Sequence, residues 1–187
     1  MTMLRFCDKW WMTAGRGAIA AVFGLAVLFL PGLDHRTLAV ALGVFAFVDG
    51  LMLAALAVVA RHSLDQWWLV LVESCVSFAV AAVALVWMAY DAFSLLLLLA
   101  TWAVVTGVLE VEAGVRLRRL AAGEPSLLVA GGLSLVLGIA LVALSEADVA
   151  YITASIGWFV LAYGGALGIV ALRLRRLATA ERESARD

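Results

Sequence analysis

The chain has little of what a water-soluble protein needs. Charged residues make up only 14% of its 187 residues, against about a quarter in a typical soluble domain. Proline occurs twice, as Pro31 and Pro125, each at the end of an apolar run, so long helices can run uninterrupted. The two cysteines, Cys7 and Cys75, lie on different segments without a CxxC spacing, and they read as free thiols. The two histidines, His35 and His62, fall in different loops, so no His/Cys/carboxylate set points to a metal or another cofactor. GxSxG, HExxH and P-loop motifs are missing, and the expectation is a protein that is not an enzyme. The net charge of −1 gives no electrostatic case for nucleic acid.

Hydrophobic residues, by contrast, make up 66%, and mean hydropathy is +1.09. No soluble fold of this size has enough interior to hide that much apolar surface. The solvent, and the first partner, must be a lipid bilayer. A spanning helix needs about 20 mostly apolar residues, and six segments qualify or nearly so: 14–30, 37–60, 67–88, 93–115, 127–144 and 149–172. Strand-like alternation is absent over these lengths, which excludes a barrel. The run after the polar start Met1 to Trp11 has no A-x-A cleavage context and reads as a retained first span.

Charge is sorted by side. Arg5, Lys9, Arg16, Arg61, Arg116, Arg118, Arg119, Arg173, Arg175 and Arg176 collect at one set of ends. Asp34, Asp91, Glu146 and Asp148 collect at the other, where Arg36 is the one strong cation. The positive-inside rule then places both termini in the cytoplasm.

Shifting the chain by 57 residues brings features into register without a gap. Gly50, Gly107 and Gly164 coincide, as do Arg61, Arg118 and Arg175, and Asp34, Asp91 and Asp148. Phe45, Trp102 and Phe159 form an aromatic set. The pairs Ala20/Gly24, Ser77/Ala81 and Ser134/Gly138 repeat a small-xxx-small step, and Gly17, Ser74 and Gly131 are all small. The expectation is one all-α membrane domain over 1–187. It holds three helical hairpins of parallel topology, about 10–66, 67–123 and 124–176, with a tail at 177–187. A ring about an axis along the membrane normal is the simplest arrangement. In lipid, close backbone approach drives helix association, so Gly24, Gly50, Gly107, Gly138, Gly164 and Gly168 are expected at packing seams. The same small faces would also serve a homo-oligomer. Trp10-Trp11 and Trp67-Trp68 sit where interfacial belts occur.

The outer "LPG" turn (Leu30-Pro31-Gly32), the second-helix steps "FAFVDG", "TWAVVTG" and "GWFVLAYG", and the inner ends Leu117-Arg118-Arg119 and Leu172-Arg173-Leu174-Arg175-Arg176 together resemble the HdeD family of bacterial membrane proteins. The resemblance spans about residues 10 to 176. Arg16 in the first helix departs from it, and repeats 2 and 3 lack the proline turn. It implies an inner-membrane protein associated with acid or general stress, and carries over no residue-level mechanism.

Charges at membrane depth are costly and mark candidate sites. Arg16 and Glu73 share a repeat position, and Glu110 lies at similar depth, which suggests a paired cluster. Glu112 is expected to snorkel towards Arg116, four residues on. Asp49 reads as deeper, with Thr106 and Tyr163 as repeat mates; mapped onto one repeat, Glu110 falls four positions after Asp49, on the equivalent helix face. Without a mapped cation it is expected to be neutral. The cluster Arg16, Asp49, Glu73 and Glu110 is then either an ion-pair lock between helices or a polar path for a proton or small solute.

Overall fold

In the computed structural model, residues 10–30, 34–61, 67–86, 92–120, 126–143 and 149–184 are described. Pro31, Gly32, Asp91, Glu146, Asp148 and Pro125 lie outside them, as do Arg5, Cys7, Lys9 and His62. The side chains of His35, Arg118 and Arg119 are outside the description as well.

The described residues form six helices: α1 Trp10–Phe29, α2 His35–Ala60, α3 Trp67–Val86, α4 Ala92–Leu120, α5 Ser126–Ala143 and α6 Val149–Ser184. With no water at membrane depth, a helix satisfies its own backbone groups. Asp34 caps α2 by accepting from Thr37 N at 3.0 Å, which pairs one of the exposed amides of the first turn. Five helices are long and apolar enough to cross a bilayer, and α5, apolar over Leu128–Ala143, is shorter than the six-span expectation. The last helix, in contrast, runs on to Ser184, beyond the expected tail boundary. Residues 177–184 hold neither Gly nor Pro, so nothing in them stops it.

Packing is tighter between the hairpins than within them. The extensive contacts are α1 with α6, α4 with α5 and α2 with α3, whereas α1 with α2, α3 with α4 and α5 with α6 touch far less. Each tight pair therefore joins the first helix of one repeat to the second helix of the preceding one, and α1 meeting α6 closes the ring. The reason is glycine. A Cβ on Gly17 would stand 2.9 Å from Gly164 O, and one on Gly24 would stand 2.7 Å from Leu161 N. A Cβ on Gly107 would come within 2.9 Å of Gly131 O, and one on Gly138 within 2.9 Å of a Val104 methyl. Ascending numbers on one helix meet descending numbers on the other, so each pair is antiparallel. The contacts obey the repeat: Gly17 against Gly164 becomes Ser74 against Gly50 and Gly131 against Gly107. In the middle case the serine fills the space and donates from Oγ to Gly50 O at 2.9 Å. Gly168 behaves otherwise than expected, since a Cβ there would meet nothing within 4 Å, although its amide lies against Gly17.

Phe45, Trp102 and Phe159 are buried together in the core. Phe23 stacks on Phe45 at 4.8 Å, and Phe45 meets Trp102 edge-on at 5.5 Å. With Thr106, Ser134 and Tyr163 they enclose a cavity of about 10 Å³, about room for one water. Trp11, Trp67 and Trp68 are exposed, and Trp10 lies under the Arg175 guanidinium, 5.1 Å from its ring centre.

Candidate functional site

The residue before each small packing step is turned towards the ring's interior, because successive helical residues are about 100° apart. Arg16 precedes Gly17, Glu73 precedes Ser74, Asp49 precedes Gly50 and Tyr163 precedes Gly164. All four are buried, as are Thr106 and Ala130 at the remaining two equivalent positions. Glu110, one turn beyond Thr106 on α4, is 3% exposed.

Arg16 is the centre. Its Nε donates to Asp49 Oδ1 at 2.7 Å, and its Nη2 donates to Glu73 Oε1 at 3.0 Å and to Tyr163 Oη at 3.1 Å. A longer contact of 3.4 Å runs from Nη2 to Asp49 Oδ2. The Tyr163 hydroxyl then donates to Glu110 Oε1 at 2.9 Å. Ser77 Oγ donates to Asp49 Oδ2 at 3.2 Å and accepts from Trp102 Nε1 at 3.3 Å. One connected network thus draws on α1, α2, α3, α4 and α6. Among the described residues, Glu110 Oε2 and Ser134 Oγ are buried without a hydrogen-bond partner.

The four ionisable residues singled out from the sequence therefore meet, directly or through Tyr163. Asp49 needs a correction: it has a cation, and that cation is Arg16. Asp49 is also no deeper than Arg16: Gly17 meets Gly164 as Ser74 meets Gly50, so the residues before them lie at one level of the repeat. Glu112 is paired with Arg116, half-exposed and apart from the network. Three participants escaped the sequence reading: Tyr163, Ser77 and Trp102. The available signal was register, because Tyr163 occupies Asp49's own repeat position. Among the described residues no group of three or more His, Cys, Asp or Glu side chains is placed to hold a metal ion, and Cys75 is free and exposed.

Chemically, the arrangement binds helices to one another and gathers three carboxyl groups around one guanidinium. In a low-dielectric interior such groups persist only when mutually satisfied. Fold and site together define a multi-pass helical membrane protein, built from an internal repeat around a buried ionic knot. The chain belongs to the family described as a short repeat of unknown function (DUF308), which it matches over residues 15–86 and again over 72–142. The two matches start one 57-residue period apart, in the register of the sequence repeat. No curated protein and no solved structure matches the chain.

Proposed function

We propose that this is an HdeD-type protein of the bacterial inner membrane, with both termini cytoplasmic, that contributes to acid or general stress tolerance without catalysing a reaction. Membership of the DUF308 family and the motifs shared with HdeD proteins support the type. The arginine-rich ends support the orientation. The single observation that carries the reading is Arg16, bonded to α2, α3 and α6 and linked through Tyr163 to α4. A knot of this kind holds a small helix bundle in one arrangement where the hydrophobic effect cannot. Integrity of the bundle in the membrane, with lipid or other copies of itself as partners, is the contribution to tolerance.

A second reading, a small channel or transporter for protons or a solute, draws on Asp49, Glu73 and Glu110. Its specific support is the excess of carboxyl groups over cations and the unpartnered Glu110 Oε2. The buried Phe45, Trp102 and Phe159 set weighs against an open path. Proteoliposomes decide between the two. On the first reading, vesicles with the protein keep an imposed pH gradient as long as empty ones. Faster collapse, slowed by Asp49→Asn, selects the second. Acid survival of cells lacking the protein tests the stress role: survival equal to that of complemented cells contradicts it.

A further inference from the structure

A groove of about 380 Å³ runs between α5 and α6, lined by Val129, Leu133, Ala162, Gly165 and Ile169, with Arg173 among its residues. It exists because repeat 3 is small where the others are large. Ala162, Gly165 and Ala166 stand in register with Val105, Val108 and Leu109 in repeat 2, and with Val48, Leu51 and Met52 in repeat 1. In repeat 1 the Met52 side chain occupies the space, so that a Cβ on Gly15 would touch its Cε at 3.1 Å. In repeat 3 a Cβ on Gly165 or Gly132 would meet nothing within 4 Å. From Arg173 back to Ala162 the groove follows α6 for about 16 Å, at about 1.5 Å per residue. That is about half of a hydrocarbon core of roughly 30 Å. An acyl chain from one leaflet needs that depth, whereas a helix from a second copy would need the whole span. At the groove's basic end Arg173 is exposed, with Arg176 exposed one turn on.

We propose that this groove seats one acyl chain of an anionic phospholipid, with its phosphate held by Arg173. Basic pockets between membrane helices recognise anionic headgroups in this way. The apolar lining sets the chain's position and the arginine sets headgroup preference. This inference is independent of the knot and of the reading built on it. A comparable groove of about 320 Å³ between α3 and α4, lined by Val83, Leu97 and Thr101, has no cation among the described residues of its lining and is the internal control.

Native mass spectrometry of the purified full chain, equilibrated with equal amounts of phosphatidylglycerol and phosphatidylcholine, tests the proposal. The wild type should retain phosphatidylglycerol over phosphatidylcholine by about fivefold, the effect of one arginine near a headgroup. Arg173→Gln should bring the ratio close to one, and Arg173→Lys should keep most of the preference. Gly165→Leu, which fills the groove, should lower retention of both lipids, and Thr101→Leu in the control groove should leave the ratio unchanged. Equal retention of the two lipids by the wild type, or an undiminished ratio in Arg173→Gln, overturns the proposal. So does a wild type that proves dimeric and becomes monomeric in Gly165→Leu with its lipid unchanged, because the occupant would then be a second copy. If Gly165→Leu fails to fold, the exposed Arg173→Gln decides alone.

Discussion

At the scale of the residue, Tyr163 is the least conspicuous member of the knot and one of its two connectors. Its hydroxyl accepts from Arg16 and donates to Glu110, so it reaches α4 from α1 through α6. Tyr163→Phe should destabilise the protein by about 1 kcal/mol, in the range of interhelical hydrogen bonds in membranes. A double-mutant cycle with Glu110→Gln in a detergent unfolding assay should show coupling of similar size, and additive losses would separate the two residues. Asp49→Asn leaves Arg16 its bonds to Glu73 and Tyr163. It should therefore cost less than loss of the arginine and should leave stress survival unchanged. A clear survival defect in a stably folded Asp49→Asn protein would shift the balance to proton chemistry. The ionisable members were legible in the sequence because charge at membrane depth is conspicuous. Their pairing was not, because Arg16 and Asp49 are 33 residues apart on helices that touch little. Tyr163 was hidden for another reason: a tyrosine in an apolar helix carries no charge to flag it, and only its shared register with Asp49 marks the position.

At the scale of the element, glycine decides which helices pair. A Cβ on Gly24 would meet backbone atoms of Gly157 and Leu161 that cannot rotate away. Gly24→Ala should therefore cost about 1–3 kcal/mol through overpacking between α1 and α6. Gly132→Ala, with open space around the new methyl, should be neutral or stabilising by up to about 1 kcal/mol. Melting temperatures of the two variants check this, and equal effects would remove the close-approach account. The small-xxx-small steps were visible in the sequence, as were the apolar spans. Which partner each glycine faces was not visible, since one small face suits a neighbour within its hairpin, a neighbour across the repeat boundary or another copy. That α6 runs on through the tail to Ser184 was not legible from hydropathy, which marks only the apolar span, although the sequence past Arg176 contains good helix formers.

At the scale of the whole molecule, the repeat fixes a threefold pattern and the contact of α1 with α6 closes it. The period was legible because Gly50, Gly107 and Gly164 fall in one register, and the family matches follow the same register. The ring was expected from the parallel repeats, but that α1 and α6 form one of its close seams was not legible, because no loop joins the chain's first and last helices. If the three tight pairs are equivalent, the chain can be opened elsewhere. A permutant with the termini joined and a break between 62 and 66 keeps every helix direction and should fold to the same helix content and a similar melting temperature. Failure to insert would show that the covalent order matters beyond the ring. Arg16, Asp49 and Glu73 all changed to leucine should cost less than loss of the arginine alone, because the bonds between helices are lost but no buried charge is left uncompensated. Removing the cation alone is different, since it leaves Asp49 and Glu73 buried without a counter-charge. The most direct test of the lock is therefore the unfolding free energy of Arg16→Met against wild type in the same detergent. A loss of about 3–5 kcal/mol is expected, and stability within about 0.5 kcal/mol of wild type would contradict a bundle held by Arg16.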